Sequence, residues 1–175
     1  MRKIFPLLSV PAVLAVLAIA TWPAKIIAQQ QPEEPRAADA QPQPFNPQMS
    51  AMMNMVIQPR HTKLGLAGQA ENWQLATYYF QELKAGFGVV SRAVPRWKGL
   101  PVPDLIDAAV VPAFAVLDFA IKAGEPRQFA ESYAKLTQGC NNCHTTADHQ
   151  YIVIKTPDPS AANAWPDQEF KPSGR

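Results

Sequence analysis

The stretch that decides the fold is NWQLATYYFQELKAGFGVVSRAV, residues 72–94. Trp73, Ala76, Phe80, Leu83, Phe87, Val90 and Val94 recur at steps of three and four, the seam of a helix packed into a bundle. Asn72 is a fitting N-cap and Pro95 stops the helix, so both ends are marked. Gly86 and Gly88 either weaken the helix or let a neighbour come close.

Working outward, the same period returns on both sides. Phe129, Tyr133, Leu136, Cys140, Cys143 and Ala147 form one stripe, preceded by Gly124 as a C-cap and Pro126 in a first helical turn. Residues 104–123 carry Ile106, Val110, Ala113, Leu117 and Ala120 or Ile121, with Pro112 expected to kink or divide the helix. On the other side, Asn46-Pro47 resembles a cap and first-turn proline. Met53, Ile57, His61 and Leu64 share a face there, Gly68 would close the helix, and Pro59 predicts a kink near Met55. The connector 95–103 holds Pro95, Pro101, Pro103 and Gly99 and reads as an ordered or extended loop. The expected fold is all-α: an antiparallel four-helix bundle over residues 46–156. Tyr151-Ile152-Val153-Ile154 would lie extended over its end, covering core surface or a cofactor edge.

The flanks differ in character. Met1-Arg2-Lys3, an apolar run from Ile4 to Ala20 and then Thr21-Trp22-Pro23-Ala24 read as a signal peptide over residues 1–28, or as an anchor if uncut. Residues 29–45 are rich in Pro, Gln and charge, the composition of a disordered linker. Residues 157–175 read as a disordered C-terminal tail whose only large apolar residues are Trp165 and Phe170. Removing residues 1–28 takes away Arg2, Lys3 and Lys25 and no acid, so 16 basic against 14 acidic side chains becomes 13 against 14. That near-neutral balance offers no electrostatic footprint for nucleic acid.

Within the last stripe sits Gly139-Cys140-Asn141-Asn142-Cys143-His144. Cys-x-x-Cys-His is the attachment pattern of c-type haem, in which two thiols add to the vinyl groups and the imidazole binds iron. On a helix Cys140, Cys143 and His144 leave one face, because they are spaced i, i+3, i+4. Other readings use the same residues. A thioredoxin-like dithiol needs a βαβ setting, which nothing nearby suggests. A zinc site needs four ligands, and adding His149 gives a cramped, incomplete set. A disulfide between Cys140 and Cys143 suits an exported chain.

In an up-down-up-down bundle, His144 comes level with the beginning of the first helix, Met49-Ser50-Ala51-Met52-Met53-Asn54-Met55. A thioether there could take the second axial position; Met53 is the first choice because it shares a stripe with Ile57 and Leu64, with Met52 and Met49 next. Alternatively the methionines pad an irregular pocket or bind copper(I). His61 lies two turns beyond Met53 and is expected to hydrogen-bond structurally, while His149 should face solvent. Arg60 and Lys63 would meet a haem propionate or simply be solvated, and Trp73, Tyr78, Tyr79 and Trp97 read as core or rim aromatics.

A four-helix layout with Cys-x-x-Cys-His near the end of its last helix resembles the class II cytochromes c, the cytochrome c′ type, over about residues 46–150. The resemblance implies one covalent haem c on Cys140 and Cys143, His144 as an axial iron ligand, and export to the periplasm, since c-type haem is attached outside the cytoplasm. Members with a first-helix Met as sixth ligand transfer electrons; those with an apolar residue and an open iron face bind nitric oxide or carbon monoxide. This chain departs from the usual pattern in its proline-broken first helix. It also has Thr145-Thr146-Ala147-Asp148 where many members place an aromatic and a basic residue. The expectation is therefore an exported mono-haem cytochrome that carries single electrons to redox partner proteins and is not an enzyme. Membrane contact would come only through a retained leader, and homodimerisation is open. The alternative is a gas-binding haem protein with an open distal site.

Overall fold

Phe80, Leu83, Phe87 and Val90 are all buried along α3 (Trp73–Ala93), so the three-and-four spacing is that of a core face. The computed structural model describes residues 46–174; the expected signal peptide (1–28) and linker (29–45) lie outside the described residues. Among the described residues the fold is all-α, with a single short hairpin. Asn72 caps α3, its side-chain oxygen accepting from the Leu75 amide at 3.2 Å.

The first arm is α1 (Met49–Met52), a π-turn (Met53–Ile57) and α2 (Gln58–Gln69). The widened turn lies where the proline argument puts the irregularity. Pro59 has no N–H for the Met55 carbonyl and its ring crowds that oxygen. The Val56 carbonyl accepts from Arg60 Nη1 at 2.8 Å. Gly86 of α3 leaves room beside the turn, for a Cβ there would sit 3.2 Å from Val56 Cγ1. Gly68 does not close α2 as expected. It lies inside the helix, where a Cβ would collide with the Phe129 ring, and the chain turns instead at Glu71 with φ +57°.

After α3 the connector is a hairpin, β1 (Arg96–Trp97) against β2 (Leu100–Pro101). Lys98 and Gly99 form its two-residue turn with φ of +48° and +84°, the positive-φ pair that matches strand twist. Pro112 divides the next segment, as α4 (Val102–Ala109) and α5 (Val111–Ala123) meet at Val110. Gly124 then caps α5 in the left-handed region at φ +67°, and α6 (Pro126–Thr146) follows.

Helix α2 packs on α3 and α6, and α5 packs on α3 and α6, while α4 lies against α3, α5 and α6. Leu64, Leu83, Leu117, Tyr133 and Leu136 fill the space between them. The expected disordered tail at 157–175 needs correction over its described part. Pro159–Ala164 is a 3₁₀ turn, Phe170 is only 5% exposed, and Tyr79 exchanges hydrogen bonds of 2.9 and 2.6 Å with the Gln168 amide. Phe170 packs near Trp165, with ring centroids 6.4 Å apart, and Lys63 lies 5.1 Å over the Trp165 ring.

Candidate functional site

Helix α6 keeps Cys140, Cys143 and His144 on one wall of a cavity of about 200 Å³. Gly139 makes this possible. A Cβ there would strike the Ala109 carbonyl oxygen, so its absence lets α6 close on the α4–α5 junction and bring Val110 to the same wall. Met49, Met53 and Ile57 of the first arm, Phe87 of α3, and Val102, Leu105 and Ile106 of α4 complete an apolar lining. Among the described residues no Lys, Arg, Asp or Glu lines it.

His144 has a defined chemical polarity. Its Nδ1 lies 2.8 Å from the Ile152 carbonyl oxygen, and a carbonyl only accepts, so Nδ1 carries the proton. In the neutral ring that leaves the lone pair on Nε2, the arrangement of a ligating imidazole, and the hydrogen bond to the carbonyl makes that nitrogen a better donor. The thiols are not bonded to each other. Burial, with Cys143 adding to it, pushes the Cys140 thiol up to about 12, and burial raises Cys143 as well. A redox dithiol needs the opposite shift, toward a ready thiolate. Among the described residues no three His, Cys, Asp or Glu side chains converge to hold a metal ion. Groups that fasten to separate points of one flat cofactor must share a face, but need no common focus.

The methionines divide. Met53 and Met49 line the cavity, while Met52 is buried in the core at 4% exposed and Met55 points to solvent at 74%. His61 also borders the cavity, but both of its nitrogens are occupied. Thr137 Oγ1 gives its proton to the Tyr133 carbonyl at 3.0 Å and accepts from His61 Nε2 at 3.0 Å, while Tyr133 Oη lies 3.0 Å from Nδ1 and 2.7 Å from the His61 carbonyl. Burial holds this imidazole down to about 4, so it is neutral near pH 7. Arg60 and Lys63 do not reach the cavity. Arg60 bonds Val56 and lies 3.4 Å from Glu82, and Lys63 sits over Tyr79 and Trp165.

His149, expected to face solvent, is instead half-buried at the rim. Its ring is 4.7 Å from Trp97 and 5.3 Å from Tyr151, and Nδ1 donates to the Ala147 carbonyl at 2.6 Å. The expected cover is the strap 151–154, with Ile152 and Ile154 facing the cavity and Tyr151 and Val153 exposed. Trp97 sits at the rim, one of the two places expected for it, while sequence reasoning passed over Asn141 and the turn that presents Trp97. The Lys98-Gly99 pair was the available signal for the turn that presents Trp97. Asn141 pairs with the Ile154 backbone through bonds of 2.9 and 2.7 Å, a long-range contact with no mark in the local pattern. No protein-family model, curated protein or solved structure matches this chain.

Proposed function

We propose that the chain is an exported, mono-haem c-type cytochrome that carries single electrons on a class II layout, a four-helix bundle of the first arm, α3, α5 and α6. The observation that carries this reading is His144: an imidazole with its Nδ1 proton committed to the Ile152 carbonyl, on the same cavity wall as Cys140 and Cys143. The donor set and the apolar lining fit a covalent haem. Cys140 and Cys143 would hold it as thioethers, and His144 Nε2 and the Met53 thioether would donate to its iron. Bound there, haem would supply one-electron ferric–ferrous chemistry, and a thioether donor in addition to imidazole would raise its potential.

The chain's own residues supply the rest. The π-turn brings Met53 to the cavity, the apolar walls keep water from the bound group, and Ile152 orients the imidazole. Tyr151, Ile152 and Val153 are exposed beside the rim and give a redox partner an apolar surface. Acidified organic solvent should leave the colour on the protein, because thioethers survive denaturation. Colour lost wholly to the solvent sinks the proposal.

Spectra of oxidised, reduced and carbon monoxide-treated protein then test the axial ligands. His144→Ala should keep covalent haem with an altered spectrum. Met53→Ala should open the distal side to carbon monoxide. Wild-type protein that takes carbon monoxide rapidly, with no ligand to displace, would favour gas binding instead.

A further inference from the structure

The strap after α6 has no helix or strand of its own, yet its peptide groups are fixed at three points by two side chains one turn apart. Asn141 Nδ2 donates to the Ile154 carbonyl at 2.9 Å, and the Ile154 amide donates to Asn141 Oδ1 at 2.7 Å. The side-chain amide thus engages one residue's backbone twice, as a neighbouring strand would. Two residues back along the strap, the Ile152 carbonyl accepts from His144 Nδ1 at 2.8 Å. Upstream, the Ile152 amide is held only by a turn to the His149 carbonyl at 2.8 Å. Ile152 and Val153 are 43% and 61% exposed, so packing does little to hold this carbonyl still.

We infer that Asn141 is a positioning residue: by clamping Ile154 it holds the Ile152 carbonyl on the Nδ1 proton of His144 and so sets the donor strength of Nε2. This deepens the cytochrome reading and rests on it for its consequence at the iron. A carbonyl held on Nδ1–H makes the imidazole a stronger donor, which favours the ferric state and lowers the potential. Releasing the clamp weakens that donor.

The experiment compares full-chain wild type, Asn141→Ala and Asn142→Ala. Asn142 sits in the same gap between the cysteines, but it is exposed, and the hydrogen bonds to Ile154 come from Asn141 and not from it. Two readouts need no haem: hydrogen exchange of the Ile154 amide, and exchange of the His144 Nδ1 proton followed by NMR. In Asn141→Ala both should speed up at least tenfold while the α6 amides stay protected; Asn142→Ala should match wild type. Asn141→Asp keeps the acceptor for the Ile154 amide and should fall between them. In haem-loaded samples the midpoint potential of Asn141→Ala should shift upward.

Unchanged Ile154 exchange overturns the clamp. Faster Ile154 exchange with an unmoved His144 proton and potential overturns the positioning role. Protection lost along all of α6 would make Asn141 a general folding residue and also overturn it. Wild type that carries no haem by mass would sink the cytochrome reading, while the two exchange comparisons would still decide the clamp.

Discussion

His61 shows how one buried residue makes stability depend on pH. Its ring is tied to Tyr133 and Thr137, joining α2 to α6, and it stays neutral because burial holds its pKa at about 4. An unfolded chain protonates the same ring near the ordinary 6.5, so below that pH the unfolded state binds the extra proton and gains on the folded one. Stability linked to His61 is therefore complete above pH 6.5 and is lost as pH falls toward 4. At 1.36 kcal/mol per pH unit the whole loss is about 3 kcal/mol. His61→Phe removes the titration. Tyr133 keeps its bond to the main-chain carbonyl and Thr137 keeps its own, so the cost at pH 7 should be only about 1 kcal/mol. Urea unfolding at pH 7 and pH 4 should show the variant weaker than wild type at the first and stronger at the second. Parallel losses in both proteins would mean that His61 is not the group being protonated.

At the scale of elements, glycines separate close contacts from mere helix weakness. Gly139 sets the approach of α6 to the α4–α5 junction, and the atom in the way of a Cβ is a backbone oxygen, which cannot rotate aside. Gly139→Ala should cost about 1–3 kcal/mol as overpacking and should loosen the cavity wall that holds Cys140. Gly88 lies within α3, and a Cβ there would meet only the tip of Arg92 at 3.4 Å. Gly88→Ala should stabilise by about 0.5–1 kcal/mol through helix propensity. Thermal unfolding of the pair should move in opposite directions. Equal shifts would show that the α6 contact is soft. From sequence alone Gly86 and Gly88 look alike, and only the packing beside the π-turn tells them apart.

At the scale of the whole molecule, the periodic parts were legible and the long-range parts were not. The stripes of α3 and α6, the Gly124 cap, the Pro112 break and the clustering of Met53 with Cys143 all follow from local spacing and helix length. The hairpin escaped because two-residue strands are too short to show alternation. His149 escaped because its partner Trp97 lies on that hairpin. The tail escaped because Phe170 and Trp165 look isolated in a polar segment, and their burial depends on α2 and α3 some ninety residues earlier, as the Tyr79–Gln168 pair shows (89 positions apart). That docking separates stability from the site. Asn72 Nδ2 reaches the Lys171 carbonyl at 3.2 Å and Gln69 Nε2 the Pro157 carbonyl at 2.9 Å, yet among the described residues nothing after Ile154 lines the cavity. Phe170→Ala should cost about 3 kcal/mol as a buried aromatic is truncated, while on the proposed cytochrome reading haem content and the spectra of the folded protein stay as in wild type. A loss near zero would mean that the tail only rests on the bundle. A changed spectrum at full folding would mean that the tail reaches the site through α2, whose Lys63 underlies Trp165 two residues from His61.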